Sequence, residues 1–276
     1  MATFEELWTE GTGRLEESQV AEAKLNAWYL LAEACSISRA DYFLCREKDV
    51  SKEKEMCYRE WITKRATHYP LEYITGKQEF MGLSFHVNEH VLIPRQDTEI
   101  LVEEVLRVSE GKTILDMCTG SGCIAISIAK FGSAENVHAV DVSKDALIVA
   151  KENALEHEVS VHFIESDLFT NVEETYDIIV SNPPYIESYV IETLMPEVKQ
   201  FEPRLALDGT EDGLYFYRKI TEEASKYLTD KGEIFYEIGY NQGDAVKNIL
   251  REAGFSDVKV IKDLAGLDRV VHGRII

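Results

Sequence analysis

The sequence predicts an α/β fold, a mostly parallel sheet covered by helices, with a small helical domain in front of it. Strand and helix patterns alternate from residue 113 to residue 253, which is typical of parallel strands joined by crossover helices. Two closing strand patterns, at 258–261 and 270–275, have no helix between them and predict an antiparallel edge pair. Before residue 75, apolar side chains recur at helical spacing, which predicts a helical bundle.

Within the α/β part, each element has its own signal in the sequence. Short β-branched apolar runs predict strands, and longer amphipathic runs between them predict helices. The predicted strands are 113–117, 137–141, 159–164, 176–181, 232–238 and the closing pair, and the predicted helices are 123–131, 144–156, 215–228 and 245–253. One more helix is expected from about Pro94 to Val108, with Asp97 or Thr98 as its N-cap.

The chain before residue 95 is predicted to form two further parts. Ser38 has the position of an N-cap for a short helix. Tyr69-Pro70 ends the helical pattern, and alternation around Gly82 predicts a β-hairpin. We therefore expect a helical domain at 1–75, a hairpin linker at 76–94 and the α/β domain at 95–276. A small helical domain in front of an α/β domain often docks a partner, which is an argument by analogy.

Composition limits the class of protein. The chain has 276 residues, of which 45% are hydrophobic and 29% charged, as is normal for a soluble globular protein. The first ten residues are acidic rather than signal-like, and no apolar run approaches the ~18 residues of a membrane span, so we expect a cytoplasmic protein without membrane contact. The net charge of −21 argues against an extended nucleic-acid surface. Five cysteines without a Cys-x-x-Cys pair predict neither disulfides nor a metal site.

The segment Asn182-Pro183-Pro184-Tyr185 follows a buried apolar strand and carries the clearest chemical signal. Two successive prolines lack backbone donors and fix φ, so the strand must stop in a stiff turn. Open α/β sheets bind ligands at the carboxyl ends of their strands. There, the amide oxygen of Asn182 and the proline carbonyls can accept hydrogen bonds from a substrate amino group. The alternative is an ordinary proline-stiffened loop with a capping asparagine.

Three other strand ends complete this edge of the predicted sheet. After the first strand, Gly120 and Gly122 allow a sharp turn and the close approach of a ligand, although a tight turn without a ligand is the alternative. Asp141 ends the second strand, where an acid commonly binds ribose hydroxyls or caps the next helix. Asp167 and Leu168 follow the third strand and suit an adenine, unless Asp167 is a solvated loop acid. Since the phosphate-binding motifs of nucleotide sites are missing, the cofactor that fits is S-adenosylmethionine.

Further motifs lie along nearly the whole chain, and together they resemble one family. They are residues 70–76, Phe80, Gly82, 92–95, 97–99, Asp116, 119–122, 182–186, 202–207, 237–239 and 242–243. In these segments the chain strongly resembles the HemK/PrmC family of peptide-chain release factor glutamine-N5 methyltransferases. The Asn-Pro-Pro-Tyr tetrapeptide alone is shared with adenine-N6 DNA methyltransferases. The Pro-Arg segment at 94–95 and the Glu-Pro segment at 202–203 make the resemblance specific.

The resemblance implies a seven-stranded, Rossmann-like class I methyltransferase domain behind a helical domain that docks a release factor. The implied cofactor-binding residues are Cys118, Thr119, Gly120, Ser121, Gly122, Asp141, Asp167, Leu168 and Asn182. The implied substrate-binding residues are Asn182, Pro183, Pro184 and Tyr185, and the implied substrate is the glutamine of the Gly-Gly-Gln loop of release factors. The sequence departs from the family at Cys118, Thr210 and His68, where glycine is usual.

The catalytic hypothesis concerns Asn182, Pro183 and Tyr185. The Asn182 side-chain oxygen and the Pro183 carbonyl would each accept one N–H of the substrate amide, while Tyr185 would pack on the amide or only within its loop. An adenine-N6 methyltransferase of DNA or RNA is the alternative enzyme, although it would want a basic face. A non-catalytic cofactor-binding module is the alternative outside enzymes. Arg95 and Glu99 are expected at the substrate entrance or at the junction between hairpin and helix.

Overall fold

The computed structural model describes residues 2–275, and the chain divides into two compact units. The N-terminal unit comprises Met1–Lys77 with Met195–Phe201, and the sheet unit comprises Gln78–Leu194 with Glu202–Ile276. The grouping of Met195–Phe201 with the N-terminal unit has no counterpart in the sequence-based expectation. Among residues 2–275, no helix combines the length and the apolar character that crossing a membrane would require.

The predicted elements follow one another in the expected order, and three short helices that the sequence did not predict, α9 to α11, lie between β6 and α12. The helices are α1 (Phe4–Glu17), α2 (Ala23–Cys35), α3 (Arg39–Cys45), α4 (Lys52–Arg65), α5 (Leu71–Thr75), α6 (Glu99–Leu106), α7 (Cys123–Phe131), α8 (Lys144–Glu156), α9 (Ser188–Ile191), α10 (Pro196–Phe201), α11 (Arg204–Leu207), α12 (Tyr215–Tyr227) and α13 (Gly243–Glu252). The strands are β1 (Lys77–Phe80), β2 (Leu83–His86), β3 (Thr113–Met117), β4 (Asn136–Asp141), β5 (His162–Glu165), β6 (Tyr176–Ser181), β7 (Leu228–Glu237), β8 (Ser256–Lys262) and β9 (Asp268–Arg274).

The N-terminal unit is helical because α1, α3 and α4 have side-chain N-caps and its helices share an apolar core. Ser38 accepts a hydrogen bond from the backbone N–H of Asp41, which confirms the predicted N-cap of α3. Arg65 of α4 is 3% exposed, and its guanidinium donates to the Asn26 Oδ1 at 2.7 Å and to the Glu197 Oε2 at 2.8 Å. This buried arginine joins α10, which lies far along the chain, to the first four helices.

The sheet has the order β5-β4-β3-β6-β7-β9-β8. Strands β3 to β7 pair in parallel, and β9 runs antiparallel to both β7 and β8, which confirms the predicted α/β sheet with its closing pair. Successive residues fill opposite faces, since Ile114 and Ile178 belong to one apolar cluster and Leu115 and Ile179 to the other. The order reverses between β3 and β6, and an open sheet has its ligand crevice at this switch point.

Three local expectations differ from the structure. β5 begins at His162 rather than at residue 159, and β7 begins at Leu228 rather than at 232. The helix expected near Pro94 begins with a 3-10 turn at Gln96–Thr98 before α6, and neither Asp97 nor Thr98 caps it through its side chain. Tertiary contacts replace the cap, because the Thr98 hydroxyl accepts a hydrogen bond from Asn182, 84 residues further along.

Candidate active site

An open cleft of about 1010 Å³, which includes solvent space, lies at the carboxyl ends of β3, β4, β5 and β6. Its walls come from the turns after these strands, from the segment 90–98 and from 203–206. Of the predicted site residues, the cleft is lined by Cys118, Thr119, Gly120, Ser121, Asp141, Asp167, Leu168, Asn182 and Pro184. Gly122, Pro183 and Tyr185 are not among the lining residues, although each adjoins one that is.

The turn after β3 needs glycine at two positions for different reasons. Gly120 has a φ of +55°, and a Cβ there would meet no atom within 4 Å, so its main chain is open to a ligand. Gly122 has a φ of +81°, and a Cβ there would lie 2.9 Å from Ile126 Cδ1 and 3.1 Å from Ala150 Cβ. The first glycine therefore leaves room for a ligand, and the second lets α7 pack closely against α8.

Asp116 holds this turn from below the cleft. Its Oδ2 accepts hydrogen bonds from the Thr119 hydroxyl at 2.6 Å and from the Ala125 N–H at 3.2 Å, while its Oδ1 is buried without a partner. Burial raises the pKa of this carboxyl to about 7. The residue belongs to the motif that carries the family resemblance, but its role as the buried support of the turn emerges only from the structure.

Asp141 holds the same turn from the side. Its Oδ2 accepts from the Gly120 N–H at 2.8 Å, and its Oδ1 accepts from the Ser143 N–H at 2.9 Å. Ser143, rather than Asp141, is the N-cap of α8 and accepts from the Ala146 N–H, so the alternative capping role falls to the serine. Burial raises the pKa of Asp141, and the backbone N–H bonds oppose that shift. The carboxylate thus faces the cleft from a fixed position.

Asp167 and Leu168 form the third wall. Asp167 is exposed, and Leu168 is half-buried with a φ of +48° at the cleft. The loop is held from behind by Ser166, whose hydroxyl accepts from the Asn171 N–H at 2.9 Å. An exposed acid beside a partly buried leucine offers a hydrogen-bond acceptor next to an apolar surface.

Strand pairing fixes the position of Asn182. Ser181 pairs with Met117 across β6 and β3, and its hydroxyl donates to the Met117 carbonyl at 2.6 Å. Asn182 therefore emerges directly beside Cys118, at the point where the order of the sheet reverses. The asparagine is half-buried, and its Nδ2 donates to the Thr98 hydroxyl at 3.3 Å. The buried rings of Pro183 and Pro184 keep the turn stiff.

Tyr185 points toward the interior of the sheet unit. Its hydroxyl donates to Glu237 Oε1 at 3.2 Å, and its carbonyl accepts from the Gln242 side-chain amide at 3.0 Å. These contacts hold Tyr185 against the end of β7 and the start of α13 rather than within its own loop, and a contact between Tyr185 and a substrate stays a prediction. Glu237 itself is 1% exposed, and burial raises its pKa to about 7. An acid at the carboxyl end of β7 is the same signal as Asp141, so the sequence could have singled it out.

The segment 90–95 is fastened to the rest of the sheet unit by a buried carboxylate. Glu202 Oε2 accepts from the Ile93 N–H at 3.2 Å, and Glu202 Oε1 pairs with the Arg95 guanidinium. Glu99 accepts from the Met81 N–H at 2.7 Å, which ties α6 to the turn of the hairpin. Arg95 thus lies at the cleft, and Glu99 lies at the junction between hairpin and helix.

The donors and acceptors of the cleft fit S-adenosylmethionine better than a nucleoside phosphate. Among the described residues that line it, Arg95 is the only lysine or arginine, and it is paired with Glu202. Asp141 and Asp167 supply negative charge and acceptors for hydroxyl and amino groups, while Met117, Val140, Leu168 and Phe216 supply an apolar surface for a purine. The fold and this cleft together define a class I methyltransferase.

Comparison with known proteins identifies the family. Residues 95–199 match the model of the methyltransferase small domain, and residues 6–76 match the model of the PrmC N-terminal domain. The release factor glutamine methyltransferase of Geobacter sulfurreducens is 42% identical over 97% of this chain and 94% of its own length. That of Clostridium botulinum is 41% identical over 98% of this chain and 99% of its own. The chain belongs to the release factor glutamine methyltransferase family and is a methyltransferase.

Solved structures share the fold of most of this chain. A methyltransferase from Pyrococcus furiosus matches 71% of this chain and 90% of its own with a TM-score of 0.55 and 21% identity. The 16S rRNA N2 G1207 methyltransferase of Thermus thermophilus, solved with AdoMet and guanosine, matches 72% of this chain and 50% of its own with a TM-score of 0.52 and 16% identity. At these identities the similarity shows the fold alone.

Proposed function

We propose that this protein transfers a methyl group from S-adenosylmethionine to the side-chain amide nitrogen, N5, of the glutamine in the Gly-Gly-Gln loop of peptide-chain release factors, in the cytoplasm. The observation that carries the proposal is the position of Asn182 beside the glycine turn of β3, on a stiff proline corner at the cleft. Two further observations support it: the family membership, and the acidic cleft, whose one described arginine is paired with Glu202 rather than open to a phosphate.

The cofactor would be held by the turn Cys118–Gly122, by Asp141, by Asp167 and by Leu168. The Asp141 carboxylate suits the ribose hydroxyls, and Asp167 with Leu168 suits the adenine edge and face. When bound, S-adenosylmethionine would supply a methyl group on a sulfonium, a strong electrophile, and the broken S–C bond would leave the neutral thioether S-adenosylhomocysteine. The two carboxylates also give this region the negative charge that a cationic ligand requires.

The protein's own contribution is alignment of a weak nucleophile. The lone pair of an amide nitrogen is delocalised, so the reacting nitrogen needs exact placement rather than a strong base. Asn182 Oδ1 and the Pro183 carbonyl would each accept one N–H of the substrate amide and thereby aim its nitrogen. Fixing two reactants in line can lower a barrier by up to ~7–11 kcal/mol. After alkylation, the substrate nitrogen loses its extra proton readily to solvent.

The N-terminal unit would dock the release factor, and the site residues Pro183, Pro184 and Tyr185 would form the wall against its glutamine. An adenine-N6 methyltransferase shares the Asn-Pro-Pro-Tyr corner but is not favoured. A net charge of −21 repels a nucleic-acid backbone, and the one arginine among the described lining residues is already paired with a carboxylate.

Label transfer from radioactive S-adenosylmethionine tests the proposal. The full chain is incubated with a release factor, with the same factor carrying Gln→Ala in its Gly-Gly-Gln loop, and with DNA. We expect label on the unaltered factor alone, and label on DNA alone would overturn the proposal.

The role of Asn182 is tested in the same assay with Asn182→Ala. Because one hydrogen bond contributes only about 1 kcal/mol to binding, cofactor affinity should change little while turnover falls by a much larger factor. Asn248→Ala is the control, since Asn248 is exposed on α13 and is not among the residues that line the cleft. Equal losses of affinity and turnover in Asn182→Ala would contradict the role of this residue in alignment.

A further inference from the structure

Thr98 lies between the asparagine of the cleft and a buried acid. It is 2% exposed and closes the 3-10 turn before α6. Its hydroxyl oxygen accepts a hydrogen bond from the Asn182 Nδ2 at 3.3 Å. The same hydroxyl also acts on the Glu237 carboxyl, whose pKa it lowers against the larger effect of burial. The Thr98 hydroxyl therefore accepts from Asn182 and lies within electrostatic reach of the Glu237 carboxyl.

The Glu237 carboxylate has one oxygen that can accept a hydrogen bond from this hydroxyl. Tyr185 donates to its Oε1 at 3.2 Å, while its Oε2 is buried with no hydrogen-bond partner. An ionised carboxylate can only accept hydrogen bonds, whereas a threonine hydroxyl has one proton to donate and lone pairs to accept. Beside ionised Glu237, the Thr98 proton is drawn toward the carboxylate, so its lone pairs remain for Asn182.

The consequence reaches the cleft through the amide of Asn182. An asparagine amide has a donor end and an acceptor end, and a half-turn about its last bond exchanges them. Because the lone pairs of Thr98 attract the NH₂ end, Oδ1 is left as the end available to a substrate. The reversed amide would present a donor to the donor N–H groups of a glutamine side chain, and the hydrogen bond would be lost.

We propose that Thr98 and Glu237 are positioning residues that fix the orientation of the Asn182 amide, so that its oxygen, and not its nitrogen, meets the substrate amide. This inference deepens the proposed function and rests on it. Neither residue touches the substrate in this scheme, since each acts through Asn182.

Thr98→Val removes the hydroxyl and keeps the shape of the side chain. One hydrogen bond of about 1–1.4 kcal/mol favours the productive orientation about five- to tenfold, so its loss lowers the productive fraction from about nine-tenths to about one half and kcat roughly twofold. The KM for the release factor and the Kd for S-adenosylmethionine should not change, because neither ligand contacts Thr98 in this scheme. Thr98→Ser restores the hydroxyl and should restore most of kcat.

Thr221→Val is the matched control. Thr221 is also 2% exposed in the sheet unit, and its hydroxyl pairs with the Tyr236 hydroxyl at 3.0 Å, away from Asn182. It loses a buried hydroxyl of the same kind, so it reports the effect of destabilisation alone. Equal falls of kcat in Thr98→Val and Thr221→Val, or an unchanged kcat in Thr98→Val, would overturn the proposal.

The pH profile of kcat gives a second readout that a merely structural role would not produce. A protonated Glu237 can donate to Thr98 and free that hydroxyl to turn toward Asn182, so kcat should rise with pH through about 7, the raised pKa of Glu237. The other titratable or charged groups that act on this carboxyl or lie in its field are Asp97, Cys123, Tyr185, Tyr217 and Arg269.

Glu237→Gln carries an amide that can donate at every pH. Its kcat should be low and lack the rise near pH 7, whereas Thr221→Val should keep the wild-type profile. A Glu237→Gln variant with the unchanged wild-type profile would overturn the role of Glu237. Wild-type protein that labels no release factor would instead overturn the proposed function, which keeps the two failures distinct.

Discussion

Arg95→Met should open the segment 90–95 by removing the cationic partner of Glu202. The Glu202 side chain is 2% exposed, whereas that of Arg95 is 39% exposed. Removing one partner of a fully buried pair costs about 3–5 kcal/mol, and because Arg95 is partly solvated we expect a smaller loss of about 2 kcal/mol. Glu202 keeps the N–H bond from Ile93, which also limits the loss. A 2 kcal/mol change corresponds to a roughly 30-fold shift in the local opening equilibrium.

Hydrogen exchange followed by mass spectrometry is the suitable assay, because the chain contains two units and need not unfold in one step. Exchange in peptides that cover 90–95 and 202–207 should accelerate in Arg95→Met, because Arg95 and Glu202 join these two segments. The three tryptophans, Trp8, Trp28 and Trp61, all belong to the N-terminal unit, so their fluorescence serves as an internal reference that should not change.

Two variants separate the pair from other effects. Arg95→Met combined with Glu202→Met should recover most of the protection, because no uncompensated buried charge remains. Arg218→Met is the control, since its pair with Asp212 is about half exposed on both sides and contributes about 0–1 kcal/mol. Equal exchange in wild type and Arg95→Met would refute the assignment of Arg95 as the partner that secures Glu202.

His68→Gly should raise the free energy of unfolding of the N-terminal unit by about 0.5–1 kcal/mol. The strain of a non-glycine residue at a φ of +65° exceeds the extra chain entropy that glycine loses on folding. Urea unfolding followed by tryptophan fluorescence measures this change, and a loss of stability would contradict it. Gly122→Ala should destabilise the sheet unit by about 1–3 kcal/mol, since its Cβ would crowd Ile126 and Ala150, and slower hydrogen exchange would disprove this. Burial raises the pKa of Glu237 from 4.5 to about 7, so the stability linked to its protonation is present below pH 4.5 and is lost as pH rises through about 7. Glu237→Gln should flatten that part of the pH–stability curve measured by thermal unfolding.

The alternation of strands and helices could be predicted because the central strands β3, β4, β6 and β7 are buried on both faces and form short apolar runs between the helices. The positions where this chain lacks the family's usual glycine share a backbone conformation that the sequence alone does not show. Cys118, Thr210 and His68 have φ values of +64°, +72° and +65°, which explains why glycine is usual there. The sequence shows the substitution, and only the backbone shows the conformation that glycine serves.

The remainder depends on contacts between distant parts of the chain. Threonine is a common helix cap, yet the Thr98 hydroxyl accepts a hydrogen bond from Asn182, a contact that no local sequence pattern predicts. Glu237 ends an apolar strand, but its burial and its bond from Tyr185 require the folded sheet. The first residues of β5 and β7 differ from the predicted ones for the same reason, because strand pairing decides where a strand begins. Parallel pairing of β3 with β6, in contrast, follows from the α/β class and places Asn182 correctly at the carboxyl edge.

The grouping of Met195–Phe201 with the first 77 residues has a practical consequence for dissecting the molecule. The chain passes between the units three times, at 77–78, 194–195 and 201–202, so a single proteolytic nick cannot release either unit as a covalently separate body. A truncated protein that starts at residue 78 would leave Glu197 without the arginine that holds it and α10 without its supporting helices. Loss of activity after such a deletion would therefore reflect both damage to the segment between β6 and α12, which contains α10, and loss of partner docking. Point substitutions on α1 to α4 separate these two effects better.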